Sequence, residues 1–212
     1  MIEILKIFLF FIIFIIILFL PLNIFEEKKY FRGLNVLDKS SLNLAINLNF
    51  LLLISFLNYP LELIQPILLV FYSLFFLFNC RNQLLQIKNF LIKIIPLLII
   101  FFILSVNIGG ELFLGWDAKY FNYIKTLYFI EDKTIFDLNA HKANVYHPYF
   151  GSYLWGFFWT ISPTETEYFG RLFYLFLFSY SLFFVSQIGN NKTINTLIFI
   201  TLVFIFYEYK YF

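Results

Sequence analysis

An aspartate directly after a glycine and a tryptophan, Gly115-Trp116-Asp117, is the first group in this chain placed to do chemistry. It opens a periodic apolar stretch, so its carboxylate can accept the backbone N–H groups of a first helical turn, an N-cap worth about 0.5–2 kcal/mol. A carboxylate held in that way is also held in place to accept a proton or bind a metal, so the two roles are compatible. Both histidines, His141 and His147, follow in the same region with Asp137 nearby. A zinc site needs three or four ligands at closer or better matched spacing, so no metal ligands are assigned and the cofactor stays unknown, with no clear set for a divalent ion. His147 precedes Pro148, which forces it into extended backbone, and its role is polar, at the start of an aromatic segment. Arg171 heads an apolar run, where a charge must snorkel or find a partner, and Glu165 and Glu167 are the obvious partners. There it serves as an interfacial anchor or as a clamp on a lipid phosphate. Cys80 is the one cysteine, which excludes an intrachain disulfide. The chain has no glycine-rich phosphate loop, serine elbow, metalloprotease pair or redox dithiol, and this argues against soluble nucleotide chemistry.

The elements that must position these groups are set by hydrophobicity. Hydrophobic residues make up 61% of the chain and charged ones 13%, with a mean hydropathy of +0.82, against about 45–50% and about 25% in a soluble domain. Such an excess cannot be hidden inside a water-soluble fold, and the sequence predicts an all-α, polytopic transmembrane bundle. A span needs about 20 apolar residues to cover about 30 Å of hydrocarbon. About six spans are expected, at 7–25, 42–57, 63–78, 90–108, 172–188 and 194–207, with a seven-span alternative. The net charge of +2 supplies no basic stripe for a nucleic-acid partner.

Residues 109–171 form the one long polar connection, with surface helices expected at 117–130 and 149–161. In the first, Phe121, Ile124, Leu127 and Tyr128 are read as the lipid face, with Lys119, Asn122, Lys125 and Thr126 between them. The second is too short to cross, and its Trp155, Phe158 and Trp159 suit the headgroup region. Glu131, Asp132 and Lys133 read as a solvated turn between the two. Lys28, Lys29, Arg32 and Lys39 mark the first connection as cytoplasmic, and Arg81, Lys88 and Lys93 mark the third. The long loop then lies on the outer face, and Lys192 returns to the inside. Lys6 and Glu62 fall near span ends, so neither suggests a buried ion pathway. The bundle is read as complete or as the front part of a longer membrane protein.

From about Phe101 to Ile188 the chain resembles the membrane glycosyltransferases of the GT-C type, which take a sugar from a polyprenyl-phosphate carrier outside the cytoplasmic membrane. The resemblance rests on Gly115-Trp116-Asp117-Ala118 followed by a surface helix, on Tyr146-His147-Pro148-Tyr149 leading into an aromatic helix, and on Gly170-Arg171-Leu172 starting the next span. It implies that Asp117 is the catalytic carboxylate, acting as general base on the acceptor hydroxyl or holding a metal near the donor phosphate. It also implies that Arg171 helps to hold donor phosphate, with His147, Lys119 and Trp116 as further substrate-binding candidates. The partners implied are membrane lipids and a polyprenyl-phosphate-linked sugar, and the location is the plasma membrane, multi-pass. The chain departs from the pattern at Ala118, where many relatives carry a second acid, and at Tyr149, where many carry a second proline. A non-catalytic membrane scaffold or lipid-handling subunit is the alternative function. A small transporter is disfavoured, because no ionisable residue falls at mid-span.

Overall fold

The computed structural model describes residues 2–19, 33–80, 84–110, 118–140, 148–162, 167–189 and 191–208. All regular structure among them is helical. The order is α1 (Ile2–Phe19), α2 (Val36–Ser55), α3 (Leu61–Cys80), α4 (Leu84–Gly110), a π-helical turn (Ala118–Tyr123), α5 (Ile124–Ile130), α6 (Ile135–Ala140), α7 (Phe150–Ile161), α8 (Tyr168–Ser186) and α9 (Lys192–Glu208).

Among the described residues, two stretches are long and apolar enough to cross a bilayer. Lys88–Ile108 in α4 has a mean hydropathy of 2.6 over 21 residues, and Tyr168–Ser186 has 1.5 over 19. At 1.5 Å per residue these reach about 32 and about 28 Å, close to the thickness of the hydrocarbon layer. Leu5–Ile16, Leu61–Leu74 and Lys192–Phe206 are shorter apolar stretches. Leu53, Ile67, Ile99, Leu197 and Phe204 all stand more than half exposed on the outer faces of α2, α3, α4 and α9. A surface built of such side chains is matched to lipid rather than to water.

The helices begin and end where local chemistry requires. Helix α2 starts at Val36, six residues ahead of its apolar run, capped by Asn35, whose side chain accepts from Leu37 N and Asp38 N while the Asp38 carboxylate accepts from Asn35 N. That reciprocal cap satisfies donors that the sequence reading, anchored on Leu42, leaves aside. The turn into α3 falls at Asn58, in left-handed backbone with φ 57, a conformation that asparagine tolerates better than most residues. Helix α8 begins at Tyr168, a full turn before the expected 172, so Arg171 lies within the first turn. The expected 117–130 helix is divided into the π turn and α5, and α6 is an additional short helix.

The bundle has two distinct ends. At one, the ends of α2 and α4 and the starts of α3 and α8 gather around α5 and α7. Tyr149 Oη lies 3.3 Å from Ser55 Oγ, Tyr168 Oη donates to the Ser105 carbonyl, and Leu61 meets Gly156. At the other, Tyr180 Oη of α8 sits 2.8 Å from Ser40 Oγ and 2.9 Å from Ser41 Oγ of α2. Interhelical hydroxyl bonds of this kind hold apolar helices in register at roughly 0.6 kcal/mol each.

Helix α7 is the hub of the first end. It packs on α5, α8, α3 and α2, and every residue from Ser152 to Phe158 is buried. Phe158 stacks on Phe173 at 3.9 Å between ring centroids and meets Phe11 and Phe14 of α1 edge-on or tilted. Trp155 and Phe158 therefore lie inside the protein and not among headgroups, a correction to the sequence reading, while Trp159 is half-buried. The cause is that four helices enclose a segment too short to cross by itself. Trp155 sits so close to Gly170 that a Cβ there would lie 2.1 Å from Trp155 Cδ1 and 2.9 Å from the Trp155 carbonyl oxygen. Gly170→Ala should thus lower stability by about 1–3 kcal/mol through overpacking, despite the better helix propensity of alanine. Thermal unfolding in detergent would show this as a lower Tm; an unchanged or raised Tm would contradict the close approach.

Candidate functional site

The polar groups expected to do chemistry divide sharply in the structure. Asp117, Trp116 and His147 lie outside the described residues, as do His141 and Glu165. Lys119 and Arg171 are described. Lys119 is exposed on the π turn, its Nζ 5.6 Å from the centroid of the Tyr120 ring. Arg171 lies at the head of α8, where one guanidinium nitrogen is 2.8 Å from Glu167 Oε1, one helical turn back.

The side chain of Arg171 is 15% exposed and that of Glu167 is 27% exposed, so the pair is largely withdrawn from water. The second oxygen of Glu167 is buried with no hydrogen-bond partner among the described residues. Burial pushes the Glu167 carboxyl above its ordinary value of 4.5, and the adjacent Arg171 charge and hydrogen bond pull the other way. The opposition is expected of a half-buried ion pair, in which desolvation competes with attraction.

Trp155 ties this pair to the surface segment. Its Nε1 donates to the Glu167 carbonyl at 3.3 Å, and its indole meets Tyr123, the last residue of the π turn, edge-on at 5.9 Å. Tyr123 also stacks on Trp159 at 6.0 Å. The π turn and the α8 head thus share a single aromatic bracket. Sequence reasoning placed Trp155 in the headgroups; the glycine before Arg171 was the signal for a bulky ring against that turn.

Helix α5 keeps Ile124 of its expected lipid face outward but buries Lys125 and Thr126, the polar positions between, against protein. Lys125 and Thr126 are fully buried, whereas Ile124 is 43% exposed. Thr126 Oγ1 donates to the carbonyls of Asn122 and, across the interface, of Ser152 at 3.2 Å, and Ser152 Oγ lies 3.4 Å from Asn122 Oδ1. Gly156 lets the two helices approach, since a Cβ there would reach Phe129 Cβ at 3.4 Å and Leu61 Cδ1 at 3.1 Å. The physical reason is that Thr126, Asn122 and Ser152 can satisfy one another against α7, beside the buried ring of Phe129, while Ile124 stays outward. Burial lowers the Lys125 ammonium below the usual lysine range.

Beyond α5 the chain turns at Glu131, Asp132 and Lys133, with Asp132 in left-handed backbone at φ 61. Asp137 then caps α6 by accepting from Thr134 N at 2.7 Å and Thr134 Oγ1 at 2.8 Å. No group of three or more potential metal-ligating side chains occurs among the described residues. Comparison with protein-family models, curated proteins and solved structures finds no match to this chain.

Burial of Glu167 makes a pH-dependent contribution to stability. The folded state holds the Glu167 proton more tightly than the unfolded chain, so the contribution of this group is fully present below about pH 4.5 and is lost as pH rises through its elevated folded value. Glu167→Gln should flatten that part of a Tm profile taken in detergent from pH 4 upward. A wild-type Tm that rises across the same interval, with the rise absent in the variant, would reverse the assigned sign.

Proposed function

We propose that the chain is a multi-pass protein of the plasma membrane that transfers a sugar from a polyprenyl-phosphate carrier to a hydroxyl acceptor on the outer face. One observation carries most of the support: the described parts of the long connection gather with the head of α8 at one end of an apolar-surfaced bundle, and Arg171 is held there by Glu167 and braced through Trp155. A lipid-linked sugar phosphate stays at the membrane surface, so the groups that meet it must be fixed at that depth. In this reading Asp117 takes the proton of the acceptor hydroxyl as the anomeric bond to phosphate breaks, and Arg171 faces the departing phosphate. Lys119, on the exposed π turn, with Trp116 and His147 completes the substrate side. The outer placement follows from the lysine and arginine distribution of the connecting segments.

A second reading is favoured by one specific feature. Arg171 already has a carboxylate at 2.8 Å, an arrangement that needs no ligand to neutralise it and that suits a scaffold or lipid-handling subunit equally well. The readings differ at Asp117. In proteoliposomes supplied with a polyprenyl-phosphate sugar, Asp117→Asn should reduce transfer by about 10²–10⁴-fold, the usual contribution of a general base. Undiminished transfer would remove the catalytic role, and no transfer by the wild-type protein would favour the scaffold.

Sidedness has a separate test. On a Cys80→Ser background, single cysteines at His141 and Lys192 should react with an impermeant maleimide from opposite faces of the membrane. Labelling of both from one face would overturn the assigned topology.

A further inference from the structure

A cleft of about 470 Å³ opens where three elements meet, lined by Glu62 and Gln65 from the first turns of α3, Ile130 and Asp132 at the end of α5, and Trp159 and Thr160 from the last turn of α7. We propose that this cleft binds a phosphate-free sugar ring, as the acceptor side of the transferase; the acceptor role rests on the reading above, the binding itself does not.

The lining dictates the ligand class. Two carboxylates, an amide and a hydroxyl surround the space, so acceptors outnumber donors and the ligand must bring hydroxyl protons. Thr160 Oγ1 sits 3.0 Å from the carbonyls of Gly156 and Phe157, which receive its proton and leave its lone pairs to accept. No lysine or arginine is among the described lining residues, and two negative charges repel a phosphate. The sugar phosphate and this cleft are therefore chemically complementary opposites, and a neutral polyol is the substrate component that fits.

Shape agrees with charge. The acceptors come from α3, from the turn after α5 and from the last turn of α7, around a space of about 470 Å³, room for a ring rather than for a simple ion. Trp159 supplies a flat apolar face, and the stacked ring of Tyr123 fixes its plane. Aromatic platforms of this kind take the apolar face of a ring while polar groups fix its orientation. The cleft also borders apolar surface, since Leu63 and Ile67 beside its α3 lining are 56% and 69% exposed. Its ligand thus sits level with the edge of the lipid-matched surface, where a lipid-borne donor would arrive.

The test uses the full chain in nanodiscs free of sugar detergents, with saturation-transfer NMR against methyl β-D-glucopyranoside and cellobiose. Glucose 1-phosphate and ethanolamine serve as charge controls. The neutral glycosides should bind, and glucose 1-phosphate should bind more weakly. Glu62→Gln and Asp132→Asn should each weaken glycoside binding roughly tenfold, the scale of exchanging a charged acceptor for a neutral amide oxygen. Asparagine tolerates the left-handed backbone of position 132, and Trp159→Phe keeps a ring beside Tyr123, so unchanged melting would show these variants to be folded. Absence of glycoside binding, or binding indifferent to all three substitutions, overturns the proposal, as does ethanolamine displacing the glycosides, which would make it an amine site. Binding with no effect of Asp117→Asn on transfer would leave the sugar cleft standing and remove only the catalytic reading.

Discussion

Enclosure of the short helix α7 is the constraint on which the rest of this structure depends. Twelve residues are too few to cross a bilayer, yet Phe150–Ile161 is almost wholly apolar and aromatic. It can be satisfied by neither water nor a simple crossing, and the protein resolves this by wrapping it in α2, α3, α5 and α8. Each neighbour is then placed by its contact with α7: α5 through Thr126 and Gly156, α8 through Trp155 on Gly170, α2 through Ser55 and Tyr149. The candidate site and the proposed sugar cleft are both boundaries of that enclosure.

The inward polar face of α5 follows from the same constraint. In a soluble protein a helix with Lys125 and Thr126 on one side and Ile124 on the other would turn the polar side to water. Here Lys125 and Thr126 are buried and Ile124 is outward. Such an arrangement is favourable when the outer medium does not offer hydrogen bonds, because the polar groups are then best satisfied within the protein. It is independent of helix length and hydropathy, and it points toward the same lipid environment as the two long apolar stretches.

Much of the helical architecture was legible in the sequence because long apolar runs have few alternatives. The helices at 61–80, 84–110 and 192–208 each contain the expected run and extend past it by a turn or less, apart from the longer polar lead of α4. What hydropathy alone could not give were two starts: that of α2, set by the Asn35 cap, and that of α8, where Tyr168, Phe169 and Gly170 are buried against neighbouring helices. Nor could it give the orientation of α5 or the placement of Trp155, since both depend on a partner helix distant in sequence. Of the candidate site residues, Arg171 and Lys119 were identifiable as charges near an interface, and Glu167 was one of the two partners named for Arg171; their i, i+4 pairing follows from the helix beginning one turn early. The cleft residues Glu62, Gln65 and Asp132 read separately as a span end and a solvated turn, because no local pattern links three segments that meet only on folding.

The hydroxyl cluster of Ser40, Ser41 and Tyr180 acquires a mechanical meaning when set beside the opposite end of α8. There an indole of α7 and a tyrosine–carbonyl bond to α4 hold the helix beside its own ion pair; here it is pinned to α2 by two serines. A rod fastened at two levels to different neighbours is held against sliding along its axis and rolling about it. The polar end of the bundle is therefore assembled against a helix whose height and rotation are set from two sides, so the groups at its head keep a fixed level relative to α2 and α4.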